Sequence, residues 1–182
     1  MNSKPHVISI SAVSGGGKTT ITNQLKASLI NSKSLYFDDY QFEDSPEDIC
    51  EWVKKRADYN EWILTPMIKD VQLHLSEKPL RYLLLDYPFA YLNKAMSEYI
   101  DITIFIDTPL DIAMARRIQR DYTEQSVKNL KNDLSNYLSQ GRDAYIEMQK
   151  SVKPNSDLVI NGSMTISSIT NQILEVIKVK EF

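Results

Sequence analysis

Lys18 follows three adjacent glycines, Gly15, Gly16 and Gly17, and precedes Thr19 and Thr20; the apolar run Val7 to Val13 and Ser14 lead into it. Such a loop can bind phosphate. Glycine allows tight turns that aim backbone N–H groups at an anion, lysine adds a mobile cation for β/γ-phosphates, and threonine offers a hydroxyl to Mg²⁺. The pattern reads Ala12-x4-Gly17-Lys18-Thr19, so alanine stands where the motif usually has its first glycine. Strand, loop and helix keep the required order. Ile21, Leu25, Leu29 and Ile30 recur at helical spacing directly after the loop.

Two groups of carboxylates fall where they could join this chemistry. Leu83-Leu84-Leu85-Asp86 is a buried-strand pattern ending in aspartate, a form suited to holding a metal directly or through water. A loop carboxylate capping the next turn has the same appearance. Asp38-Asp39-Tyr40 ends another short apolar run and is equally compatible with an ordinary loop. Arg116 and Arg120 share a helix face at i,i+4, and Arg117 and Arg120 at i,i+3; planar, permanently charged guanidinium suits phosphate and aromatic rings alike.

These residues need a frame. Strands are expected at Val7 to Ser11, Leu35 to Phe37, Tyr82 to Leu85, Ile102 to Ile106 and Leu158 to Ile160, alternating with helical stretches. That alternation predicts an α/β fold, a five-stranded parallel sheet with helices on both faces, with ligands at the carboxyl ends of the strands. Ser45-Pro46 and Thr108-Pro109 each place a capping residue before a proline at a predicted helix start, and a last helix is expected from about Thr165 to Val179.

The 182 residues suit one domain, residues 1–182, and a net charge of -3 offers no general attraction to nucleic acid or anionic membrane. A single cysteine, Cys50, excludes an intramolecular disulfide, and no apolar run reaches the length of a membrane span. A soluble cytoplasmic protein, monomer or homodimer, without nucleic-acid or membrane partners is expected. A guanine-reading Asn-Lys-x-Asp is missing, since Asn93-Lys94-Ala95-Met96 lacks the aspartate, which argues against a regulatory GTPase.

Ser14 to Thr20, Phe37 to Tyr40, Asp101 to Pro109, Arg116-Arg117-Ile118-Gln119-Arg120-Asp121, Tyr137-Leu138, Ile146 and Lys153 to Ile160 together resemble the uridine kinase and phosphoribulokinase group of P-loop kinases. Nicotinamide riboside kinases and pantothenate kinases are similar in the same places. The resemblance implies ATP and Mg²⁺ as cofactors and a small-molecule phosphoryl acceptor. It implies phosphate-loop contacts from Ser14, Gly15, Gly16, Gly17, Lys18, Thr19 and Thr20, and metal binding by Thr19 and Asp86. Asp38 takes the place of the group facing the acceptor hydroxyl, with Asp39 as the neighbouring alternative. Asp58 sits where such kinases bind sugar hydroxyls, and Tyr40, Trp52, Tyr59, Trp62 and Tyr91 are candidate pocket aromatics, with Trp52 and Trp62 also suited to the core. Arg116 and Arg120, ahead of Arg117, lead into a lid around 116–135.

The chain departs from the group in reading Tyr122-Thr123-Glu124-Gln125-Ser126-Val127-Lys128 where uridine kinases continue with arginine-glycine-arginine, leaving Arg142, Lys128 or Lys131 as substitutes. Strand three ends in Asp86-Tyr87-Pro88 where they usually have glutamate and glycine. The acceptor stays open, as does the alternative of a degenerate kinase acting as a nucleotide-binding sensor or assembly module.

Overall fold

The computed structural model describes residues 4–122 and 127–180. Its centre is a parallel sheet of β1 (His6–Ser11), β2 (Ser32–Tyr36), β3 (Tyr82–Asp86), β4 (Ile102–Asp107) and β5 (Leu158–Asn161), ordered β2-β3-β1-β4-β5. β1 therefore lies between β3 and β4, with Ile10 opposite both Asp86 and Ile104. The phosphate-loop segment leaves the middle of the sheet.

Helices cover both faces. α1 (Lys18–Ser28) follows β1; α2 (Ile49–Lys54) and α3 (Thr65–Leu75) lie between β2 and β3; α4 (Lys94–Ser97) precedes β4; α5 (Leu110–Asp121), α6 (Val127–Asn136) and α7 (Arg142–Glu147) follow it; α8 (Ile166–Val179) ends the fold. Period-two alternation sorts the strand side chains into two cores. Ile8, Ile10, Leu84, Ile102 and Ile104 face Ile21 and Leu25 of α1 and Ile169, Ile173 and Ile177 of α8. Val7, Leu83, Leu85 and Phe105 face Trp52 of α2, Met67 and Val71 of α3, and Ala113 of α5.

Two aspartates tie the amino edge of the sheet. Asp101, just before β4, accepts from the Val7 amide at 2.8 Å, and Asp157, just before β5, accepts from the Thr103 amide at 2.8 Å. Each carboxylate supplies a partner to a strand-start N–H on the neighbouring strand. Tyr91 Oη also donates to Asp157, at 2.7 Å.

Two expected helix starts shift. Asp48, not Ser45, caps α2 by accepting from Cys50 and Glu51 N–H, while Ser45 Oγ accepts from Ile63 N–H at 3.0 Å. Pro109 is itself the cap position of α5, because Thr108 Oγ1 is committed to the Gly16 carbonyl at 2.8 Å. Residues 123–126 of the expected lid lie outside the described residues.

Candidate active site

The segment from Ala12 to Gly17 joins β1 to α1 in a shape that only its own sequence tolerates. Gly15 has φ 75°, and a Cβ there would strike the Ala113 carbonyl. A Cβ at Gly16 would lie 2.7 Å from the Val13 carbonyl and 2.8 Å from the Ala12 Cβ. The alanine at position 12 thus fits because residue 16 is glycine. Gly17, at φ 98°, faces open space, and no side chain caps the first turn of α1. Its uncapped N–H groups and a lysine at the first helical position form a ready anion site.

Lys18 Nζ forms an ion pair with Asp86, which lies at the carboxyl end of β3 and is 2% exposed. Apart from that ion pair, neither Asp86 oxygen accepts a hydrogen bond among the described residues. Burial pushes the Lys18 amine down to about 8, with the negative charge of Asp38 opposing and the positive charge of Arg120 assisting. These are the charges that converge on the loop.

The loop forms one end of a cavity of about 780 Å³. Ser14, Gly15, Gly16, Gly17, Lys18, Thr19 and Thr20 line it together with Arg116, Arg120, Gly162, Met164 and Ile166. Arg116 reaches the Gly162 carbonyl at 3.4 Å. Gly162 packs against Thr108, which also holds the Gly16 carbonyl, so the loops after β1, β4 and β5 form one connected rim. The Arg120 side chain is 62% exposed and paired with Asp121 at 2.6 Å. Arg117 turns away: it holds Asp133 of α6 through two bonds of 2.8 and 3.0 Å and does not line the cavity.

The other end carries Asp38, in the short turn Phe37–Asp39 after β2, and a recess of Phe37, Trp52, Tyr59, Trp62 and Phe89. Trp52 meets Tyr59 edge-on at 5.0 Å and Trp62 at 5.9 Å, and Phe89 lies 5.2 Å from Trp62. Both tryptophans are core residues and wall residues at once. Buried Asn93 fixes their support, donating to the Tyr59 carbonyl at 2.9 Å and the Trp62 carbonyl at 3.0 Å while capping α4. Across the recess lie Ala144 and Glu147 of α7 and Met148, the residue that follows it.

Several expected contacts go elsewhere. Asp39 is exposed and outside the cavity lining, one register step from Asp38. Tyr40 donates to Asp70 at 2.8 Å and stacks on Phe42. Asp58 caps the turn at Tyr59–Glu61, accepting from the Asn60 amide at 2.9 Å, which lowers its carboxyl pKa. Tyr91 is engaged by Asp157. Arg142 is exposed on α7 and does not reach the cavity. Hydrogen-bond partners outside the cavity claimed Tyr40, Asp58 and Tyr91.

Phe37, Phe89, Glu147, Gly162 and Met164 were not among the expected site residues. Phe37 and Phe89 had a usable signal, since they closely follow β2 and β3 at the carboxyl edge. Gly162, next to the end of β5, had the same one. Glu147 had only its helical spacing from Ala144.

Mg²⁺ bound with substrate phosphates takes one or two carboxylates from protein. The buried Asp86 carboxylate, which pairs with Lys18, and the Thr19 hydroxyl on the cavity wall are donors of the kind that role needs. Among the described residues no three His, Cys, Asp or Glu side chains gather as a larger metal site.

The order of strands, the loop after β1 and the carboxylate ending β3 define a P-loop NTPase α/β fold. The family described as Phosphoribulokinase / Uridine kinase family matches residues 79–167. Along nearly all of both chains, this protein is 24% identical to a uridine kinase of Leuconostoc citreum (98% of this chain, 99% of the relative). A Staphylococcus aureus uridine kinase is also 24% identical, over 92% and 94% of the two chains. Deoxyadenosine kinase from M. mycoides, solved with bound dATP, superposes with a TM-score of 0.54 at 13% identity, covering 94% of this chain and 99% of its own. The protein is thus similar to the uridine kinase and phosphoribulokinase-like group of P-loop kinases.

Proposed function

We propose that the protein transfers the γ-phosphoryl group of ATP to a hydroxyl of a small nucleoside-like acceptor. The observation that carries this reading is a single cavity with the phosphate loop at one end and Asp38 above an aromatic recess at the other. Donor and acceptor would share one cavity. The loop amides and Lys18 hold the phosphates, with Ser14 and Thr20 at the loop's flanks, and preorganised donors of this kind favour the developing charge. Asp38 receives the proton as the acceptor oxygen attacks the γ-phosphorus and the bond to the β–γ bridging oxygen breaks, releasing ADP. Arg116 and Arg120 steady the phosphates and the base from the rim, and the stretch around 116–135 serves as the lid. Thr19 and Asp86 are the groups that would hold Mg²⁺, which supplies charge neutralisation across the β- and γ-phosphates.

Incubation with ATP, Mg²⁺ and a panel of nucleosides, nicotinamide riboside, pantothenate and sugars, read by mass spectrometry, should yield one phosphorylated acceptor. ATP binding with no phosphorylated product from any acceptor would replace this reading with a nucleotide-binding sensor.

A further inference from the structure

The acceptor end of the cavity has a charge character that the donor end does not share. The cationic side chains lining the cavity are Lys18, Arg116 and Arg120, all on the loop or α5. Around the aromatic recess the charged side chains are Asp38 and Glu147. With Asp38 assigned to the reacting hydroxyl, Glu147 is left over.

Glu147 is held in place. Its Oε1 accepts from Ser151 Oγ at 2.6 Å and from Tyr59 Oη at 3.2 Å. Burial, together with the Glu147 charge, pushes the Tyr59 phenol up, so it remains a donor to the carboxylate. Both bonds fall on one oxygen, and among the described residues Oε2 accepts none, so the carboxylate keeps acceptor capacity. It stands at the last residue of α7, where the helix widens into a π turn at Met148–Val152. Such insertions re-aim side chains and are frequent at functional sites. A fixed carboxylate among aromatic faces favours a cation or an N–H donor twice over, through ring quadrupoles and through charge-assisted hydrogen bonding. An anion placed there meets two carboxylates in a weakly screened recess.

We propose that Glu147 is the acceptor-recognising residue and that it selects an acceptor presenting an N–H donor or a cationic nitrogen, while rejecting anionic acceptors. This rests on the kinase reading for the location of the acceptor end, but it is tested by binding and so can fail separately. Trp52 and Trp62 are the chain's two tryptophans and both line the recess, so intrinsic fluorescence reports occupancy without turnover.

Wild type, saturated with a non-hydrolysable ATP analogue and Mg²⁺, is titrated with nicotinamide riboside as the cationic probe, cytidine as the neutral N–H probe, and pantothenate and ribose 5-phosphate as anions. Binding of either nitrogen-bearing probe at least about tenfold tighter than both anions is expected. Nicotinamide riboside carries an amide N–H as well as its positive ring, so cytidine binding as tightly would assign the selection to hydrogen-bond donation, and weaker cytidine binding would add a part for charge. Glu147→Gln should weaken the preferred probe about tenfold or more while the ATP-analogue affinity stays unchanged. Ser151→Ala, which frees the carboxylate without removing it, should give an intermediate loss and decides the matter if Glu147→Gln does not fold. Tighter binding of an anion, no binding of either nitrogen-bearing probe, or unaltered affinity in the variants would overturn the proposal. Tight, charge-selective binding without phosphoryl transfer would overturn the kinase reading alone.

Discussion

Lys18 and Asp86 share one buried site, so neither can be altered without exposing the other's charge to a poor environment. Lys18→Ala removes the phosphate-binding cation and also leaves a buried carboxylate uncompensated, costing about 3 kcal/mol or more in stability. Adding Asp86→Asn should recover much of that loss in chemical denaturation without restoring nucleotide binding. If the double variant is no more stable than Lys18→Ala, the ion pair is not what holds Asp86 in the fold. Asp38 is exposed, and Asp38→Asn should lower kcat about 10² to 10⁴-fold with ATP affinity intact. Near-normal turnover would remove Asp38 as the base. Gly15→Ala combines a left-handed backbone with a clash against α5 and should cost about 2 kcal/mol or more, read as a lower Tm. At this scale the position of the phosphate loop and of Asp38 on one cavity was legible, because glycine runs and strand-end acids declare themselves by type and place in the sequence. Asp58 and Tyr40 lie off the cavity wall because a polar side chain near a site is as readily taken by an adjacent turn or helix. Glu147 stayed hidden because it depends on Tyr59 and Ser151 for its setting, and Tyr59 is remote in sequence.

Elements, by contrast, were read well where hydrophobic alternation was strict. The five strands lie within a residue or two of expectation except β2, which starts earlier because Ser32 and Lys33 pair with Tyr82 and Leu83 despite their polarity. No apolar pattern announces such an edge strand. Proline signals located helix starts only approximately, since the hydroxyls before them found tertiary partners. The amino-edge aspartates yield a prediction of their own. Burial disfavours charge on Asp157, yet the Thr103 amide, Tyr91 hydroxyl and Lys180 outweigh it and leave its pKa lowered. A carboxylate with a depressed folded pKa stabilises above its unfolded value near 4, and that stabilisation fades as pH falls through the folded value. Asp157→Ala should therefore cost about 1 kcal/mol from pH 7 down to about 5, discounted for its exposure, and the difference from wild type should close below about pH 4. A difference that persists at low pH would mean that packing, not charge, is what the substitution removes.

For the whole molecule, the two cores and the shared rim couple nucleotide binding to global stability. Any ligand specific to the folded state stabilises it by mass action, about 2.7 kcal/mol at a hundredfold excess over its Kd. ATP with Mg²⁺ should raise the wild-type Tm, and Lys18→Ala with Asp86→Asn should abolish the rise while remaining folded. An equal rise in that variant would place the nucleotide elsewhere. Among the described residues no helix is long and apolar enough to cross a membrane.

The place of β1 has a consequence for how the protein is made. It precedes the other four strands in the sequence, yet its partners are β3 and β4, with His6 opposite Tyr82 and Ile8 opposite Ile102. The Gly16 carbonyl, too, waits for the Thr108 hydroxyl. A nascent chain stalled before Thr108 has left the ribosome therefore carries every glycine of the loop but lacks the hydroxyl that holds the Gly16 carbonyl. On this geometry the loop's glycines precede by some ninety residues the hydroxyl that completes their hydrogen bonding.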